Sequence, residues 1–269
     1  MSIELKRLRV KNSYNFFRVH SFVKKLLYNV PNWPYTVITA LKRGKFMKRT
    51  KLKHRSLPDY TKGEEIFNMV SHIVGGALGI VTTVLCVTFA AIHSNVFGIV
   101  CSAVFGFSMI VLYTMSSIYH GLRRNTAKKV FQILDHCSVF ILIAGTYTPF
   151  SLCVLREYST ALGWTVFGIV WGLAALGILL NAIDLKRYNV ISMILYLGMG
   201  WCIIFTAKTV YDFIGISGFL LLLFGGISYT VGAILYGLGR KHRYMHSVFH
   251  LFVLLGTLLH FLCVLLYVV

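Results

Sequence analysis

The chain has 269 residues, 57% of them hydrophobic and 13% charged, with a mean hydropathy of +0.73 and a formal net charge of +19. A soluble domain of this size needs more polar surface to stay in water, so a water-soluble globular enzyme is excluded. Sixteen of the 27 Lys and Arg lie between Lys6 and Lys62. The charge therefore belongs to an arm joined to an apolar body, and its nearest anionic partner is lipid headgroup; no nucleic acid is expected.

Residues 1–62 form the expected basic, cytoplasmic N-terminal arm and residues 63–269 a membrane domain. In the arm Phe16, Val19, Val23, Leu26 and Val30 recur at helical spacing, with Arg18, Lys24 and Lys25 between them. That pattern suits an amphipathic helix over residues 14–30 lying on anionic headgroups, and it equally suits a solvated tail that enforces topology. Lys42 to Arg55 is cationic without such periodicity and is expected to be disordered. No secretory signal is read, because the first apolar stretch of spanning length begins near Ile66.

A helix needs about 20 residues to cross some 30 Å of hydrocarbon. Such runs occur near 66–92, 96–119, 131–155, 161–182, 189–207, 214–238 and 246–268, which predicts an all-α integral membrane protein, a bundle of seven transmembrane helices. The loops after the second, fourth and sixth spans carry nine Lys and Arg, and those after the third and fifth carry only Arg156 and Lys208. The positive-inside rule then puts the N-terminus in the cytoplasm and Val269 outside. The plasma membrane is the expected location. Gly75-Gly76, Gly168 with Gly172, and Gly225-Gly226 are read as sites of close helix packing. Pro149 removes a backbone donor and is expected to kink the third helix. The six cysteines lie inside apolar segments without CxxC spacing, so no disulfide framework is expected.

Ionisable side chains within a span are costly and mark function. His72 lies early in the first span, His120 ends the second, Asp135 begins the third, and His246 and His250 begin the seventh. With alternating direction, these residues from four helices meet at one depth, in the cytoplasmic half of the bilayer. His246 and His250 are four apart and share a helical face, as do Ser116 and His120. Three imidazoles with a nearby carboxylate supply three ligands to Zn²⁺ and leave a place for water. Asp135 then binds the metal, holds the water or acts as general base on it. A histidine near a helix end is also often a plain hydrogen-bonded residue. His93 in a loop, and His260 deep in the last span with no evident partner, illustrate that reading.

Four motifs in order carry a resemblance. Gly63-Glu64-Glu65-Ile66 with Asn68 and His72 opens the first span, and Ser116-Ser117-Ile118-Tyr119-His120 closes the second. Leu134-Asp135-His136 leads to Ala144-Gly145-Thr146-Tyr147-Thr148-Pro149-Phe150, and His246-Ser247-Val248-Phe249-His250 opens the last span. Together they resemble the hemolysin III family, within a superfamily that includes adiponectin receptors, progestin receptors and, more distantly, alkaline ceramidases. The resemblance covers about residues 62–269 and leaves the basic arm unexplained. It implies His120, His246 and His250 as zinc ligands, Asp135 and Ser116 as catalytic residues, Asn68 and His72 as supporting residues, and His136 as a substitute ligand. In ceramidase-like members the zinc-bound water attacks a lipid amide. The expected function is thus a zinc-dependent hydrolase of a lipid amide or ester. A receptor or regulator that keeps the metal for structure is the alternative, and a cytolytic pore the second.

Overall fold

The computed structural model describes residues 50–238 and 242–269; the amphipathic segment expected over residues 14–30 lies outside them. The described residues are helical, and none forms a strand. The helices are α1 (Lys62–His93), α2 (Val96–Gly121), α3 (Thr126–Pro149), α4 (Thr160–Trp201), α5 (Ala207–Leu238) and α6 (Met245–Tyr267).

Local sequence sets where they begin. Thr61 caps α1 in a reciprocal box, its hydroxyl accepting from the Glu64 amide while the Glu64 carboxylate accepts from the Thr61 amide. Asn95 caps α2, Asn125 caps α3 and Ser159 caps α4, each through its side-chain oxygen. After Pro149 the bonding of α3 widens into a π-type turn over Phe150–Leu155. The missing donor expected to disturb this helix is expressed there as a wider turn.

Among the described residues, five apolar helical runs are long enough to cross a membrane, and the fourth, Thr160–Gly237, has 78 residues. As one straight helix it would extend about 117 Å, far beyond a bilayer. It doubles back instead. At Asp184 the backbone leaves helical geometry (φ −159°, ψ 97°), and the Ser192 hydroxyl donates to Asn181 Oδ1 at 2.6 Å across that break. A second interruption spans the tight turn Cys202–Thr206 and Gly215, whose φ of +67° is a left-handed conformation that glycine adopts without strain. Trp201 Nε1 then donates to Thr230 Oγ1 at 3.0 Å, joining residues that a straight helix would hold tens of ångströms apart. The run is therefore interrupted at Asp184, at Cys202–Thr206 and at Gly215, where the sequence suggests loops at 183–188 and 208–213.

The burial pattern is that of a membrane protein. On α1 the buried residues are Glu64, Asn68, Ser71, His72, Gly75, Gly79, Thr82, Cys86 and Ala90, all polar or small. Ile66, Phe67, Ile73, Val74, Ile80 and Val84 are exposed on the same helix. An exposed apolar face this large suits hydrocarbon and not water.

Small residues bring some helices close. A side chain at Gly75 would meet the Tyr113 ring at 2.4 Å, and one at Gly225 would meet His260 at 2.2 Å. Gly168 and Gly172, expected to act alike, have nothing within 4 Å, because they lie on a face no other described element covers. Gly75→Ala is expected to destabilise the protein by about 1–3 kcal/mol by displacing Tyr113, and Gly168→Ala to leave it unchanged. Thermal unfolding in detergent compares the two directly.

Residues 50–55, expected to be disordered, are tied to the bundle. The Thr50 amide donates to Asp184 Oδ2 at 3.0 Å, and Arg55 Nη2 donates to the Ile183 carbonyl at 3.0 Å. The break at Asp184 frees the Ile183 carbonyl, which Arg55 satisfies, while the Asp184 carboxylate accepts from the segment's own backbone. All six cysteines are free, five of them buried.

Candidate metal centre

Two helices deliver three imidazoles to one point. His120 lies at the end of α2, and His246 and His250 lie on the first turns of α6. One ring nitrogen from each lies within 4.8 Å of the others, and all three residues are buried. His246 Nε2 and His250 Nε2 face each other at 3.0 Å. His120 Nε2 is buried without a hydrogen-bond partner among the described residues. Tetrahedral zinc with bonds of about 2.0–2.1 Å holds its ligand nitrogens roughly 3.4 Å apart, so a small inward shift of His120 completes the set. The donor set fits a metal.

Glu65 and Lys128, which the sequence motifs do not mark as site residues, hold His120 in place. Glu65 Oε2 accepts from His120 Nδ1 at 2.7 Å, and Glu65 Oε1 lies 2.8 Å from the ammonium of Lys128. With the proton fixed on Nδ1, the lone pair is on Nε2, the nitrogen that faces the other histidines. Lys128 is buried, its Nζ also donates to the Leu122 carbonyl, and the ammonium lies 4.9 Å over the Tyr119 ring. One signal was available: Glu65, Asn68 and His72 are three and four apart, hence on one face of α1.

The supporting residues divide. His72 stacks on His250 with centroids 3.8 Å apart, and the Tyr113 ring meets its edge. Asn68 is fully buried, its amide without a hydrogen-bond partner among the described residues. His136, expected as a substitute ligand, is not in the triad. Its Nε2 faces Tyr236 Oη at 3.3 Å and its Nδ1 the Gln132 carbonyl at 2.9 Å, so both nitrogens already have partners. His260 does have a partner: its Nε2 lies 3.1 Å from the Leu222 carbonyl. His93 is exposed and far in sequence from the cluster, facing only its own helix.

Two cavities adjoin at His246. An apolar chamber of about 170 Å³ has Ser116, Asp135, His246 and His250 on its wall and runs inward past Val139, Leu197 and His260. A wider and more polar vestibule of about 800 Å³ shares His136, Tyr236 and His246 with it. Tyr60 stacks on His246 at 5.0 Å and lines the vestibule; burial, then its Tyr236, Asp135 and Glu65 neighbours, push its hydroxyl well above the usual range, so it stays neutral.

Residues 60–261 match the family model described as "Haemolysin-III related". The chain belongs to the haemolysin III family. Among curated proteins in this family's range, Hemolysin-3 of Bacillus cereus is 42% identical over 205 residues, covering 76% of this chain and 92% of that protein. The Hemolysin-3 homolog of Bacillus subtilis is 40% identical over 210 residues, covering 78% and 97%. A human protein named monocyte to macrophage differentiation factor is 23% identical over 164 residues, covering 59% and 66%. No solved structure matches the chain. This haemolysin III family member is an integral, multi-pass membrane protein, and its buried His120, His246 and His250 form a group able to bind a metal ion.

Proposed function

We propose that this haemolysin III family member is a zinc-dependent hydrolase that cleaves an amide or ester of a lipid within the membrane. One observation carries the reading: of three buried imidazoles with ligand atoms within 4.8 Å of one another, His246 and His250 line an apolar chamber, and His246 also lines the more polar vestibule beside it. Neutral imidazoles in an apolar shell favour zinc over harder cations. Zinc, when bound, lowers the pKa of a coordinated water to about 7 and polarises a carbonyl. His120, His246 and His250 hold the ion, with Glu65 fixing the tautomer of His120. Asp135 takes the proton from the attacking water and returns it to the departing amine or alcohol. The Ser116 hydroxyl, buried and without a hydrogen-bond partner among the described residues, donates to the carbonyl oxygen. His72 backs His250, and Asn68 packs behind both. The chamber receives the acyl chain. Products are a fatty acid and an amine or alcohol.

Seven crossings with the basic arm in the cytoplasm belong to the same proposal, supported by the two reversals in the fourth run and by the cation bias of the loops. The metal site then opens toward the cytoplasm, and the arm lies against anionic headgroups. A cytolytic pore, which the names of the bacterial relatives suggest, draws no support from polar residues gathered at one level. A receptor role would keep the triad and dispense with Asp135.

Purified full-length protein tests the reading. Wild type is expected to carry about one zinc per chain and to release fatty acid from a lipid amide or ester. Asp135→Ala is expected to retain the zinc and lose about 100-fold or more of the turnover. Zinc-free wild-type protein, or undiminished turnover in Asp135→Ala, would falsify it.

A further inference from the structure

The vestibule contains a feature that the hydrolytic centre does not use. Arg55 is 9% exposed and lines it, with Nη2 donating to the Ile183 carbonyl and Nε to Thr50 O at 3.4 Å. Its third nitrogen, Nη1, is buried and has no hydrogen-bond partner among the described residues. A buried guanidinium N–H left unmatched is costly, and an oxyanion is the group that matches it best.

The surroundings agree in sign. Lys186 and Arg243 line the same space and are exposed, with His54 and His242 beside them. Among the described residues no carboxylate lies within ion-pairing distance of Arg55, Lys186 or Arg243. Two acids also line the vestibule, but both are engaged. Asp59 pairs with Arg124 at 3.0 Å, and Glu64 accepts from the Thr61 and Tyr244 amides. Arg55 also favours the Asp184 carboxylate and Arg243 that of Glu64, but Arg55, Lys186 and Arg243 outnumber the two acids that line the space.

This space adjoins the apolar chamber through His136, Tyr236 and His246. A molecule filling both needs a hydrocarbon tail at one end and an anion at the other. We infer that the vestibule is an oxyanion site, and that it holds the phosphate headgroup of a lipid whose chain enters the chamber past the histidine triad. The inference narrows the lipid class of the proposed hydrolase, and it rests on that reading only for what happens to the lipid after binding.

Binding to the purified full chain in a nonionic detergent tests it with three probes. These are 1-oleoyl lysophosphatidate, 1-monooleoylglycerol with the same chain and no charge, and inorganic phosphate with the charge and no chain. Lysophosphatidate is expected to bind about tenfold or more tightly than monooleoylglycerol. A Lys186→Gln/Arg243→Gln double variant, altered only at exposed positions, is expected to lose most of that preference while binding monooleoylglycerol as before. Because the basic arm is unchanged in the variant, its own attraction for anions cancels in the comparison. Arg55→Gln is expected to lose more, and the double variant decides the matter where Arg55→Gln does not fold. Equal binding of the charged and uncharged lipids overturns the inference, as does a double variant indistinguishable from wild type. Inorganic phosphate binding as tightly as lysophosphatidate upholds the anion site and overturns its assignment to a lipid. Zinc content, measured on the same samples, separates these outcomes from failure of the metal-centre reading.

Discussion

His250→Ala is expected to reduce bound zinc from about one per chain to less than about a tenth. The effect should exceed the roughly 10- to 100-fold loss of affinity that follows from removing an outer hydrogen bond, because a ligand itself is lost. His250 is buried, and its Nε2 lies 3.0 Å from that of His246, so truncation leaves two nitrogens where a structural or catalytic zinc needs at least three protein ligands. His260→Ala provides the control. It lies ten residues further along the same helix, is similarly buried, and interacts with the Leu222 carbonyl in place of the triad. That variant is expected to keep its zinc. Elemental analysis of protein purified without added metal distinguishes the two. Equal zinc in both variants would sink the assignment of His250, and loss from both would point to a general collapse of α6.

The contrast between these histidines also shows what sequence alone carries. Hydropathy located the apolar runs because the hydrocarbon imposes both a length and a composition on any helix that crosses it. Spacing put His246 and His250 on one face, and alternating direction brought His120 and Asp135 to their depth. In the structure the three histidines form one group, and Asp135 lines the chamber together with His246 and His250. Less legible were features that depend on contacts between distant segments. Nothing local to Arg55 signals that the Asp184 break will accept it, since the reversal at 184 exists only once α4 has folded against itself. His260 was unassigned because its partner is a backbone carbonyl, which has no sequence signature. Composition alone suggests Gly168 and Gly172 as packing glycines, yet which face of α4 meets a neighbour is a tertiary property.

Glu65 is the most informative of the residues that went unread, and its removal has the second large expected effect. Its carboxylate touches His120 Nδ1 at 2.7 Å and Lys128 Nζ at 2.8 Å, with the His120 side chain fully buried and that of Lys128 only 3% exposed. Glu65→Gln keeps the size and an acceptor for Nδ1 but removes the charge. Zinc affinity is expected to fall by about 10- to 100-fold, the usual consequence of weakening a ligand's outer partner. The same change leaves a buried ammonium without its counter-ion, which costs up to about 3–5 kcal/mol in the limit of full burial and less here because Glu65 is 19% exposed. Stability and metal binding are therefore confounded in the single variant. Glu65→Gln/Lys128→Met separates them, since it removes both charges and replaces the cation by an apolar chain of similar length. If Glu65 acts by orienting His120, this double variant recovers the wild-type unfolding temperature while its zinc affinity stays low. If Glu65 is needed only to neutralise Lys128, both recover together. A competition titration with a zinc chelator, beside a thermal melt of the metal-free protein, reads the two quantities independently.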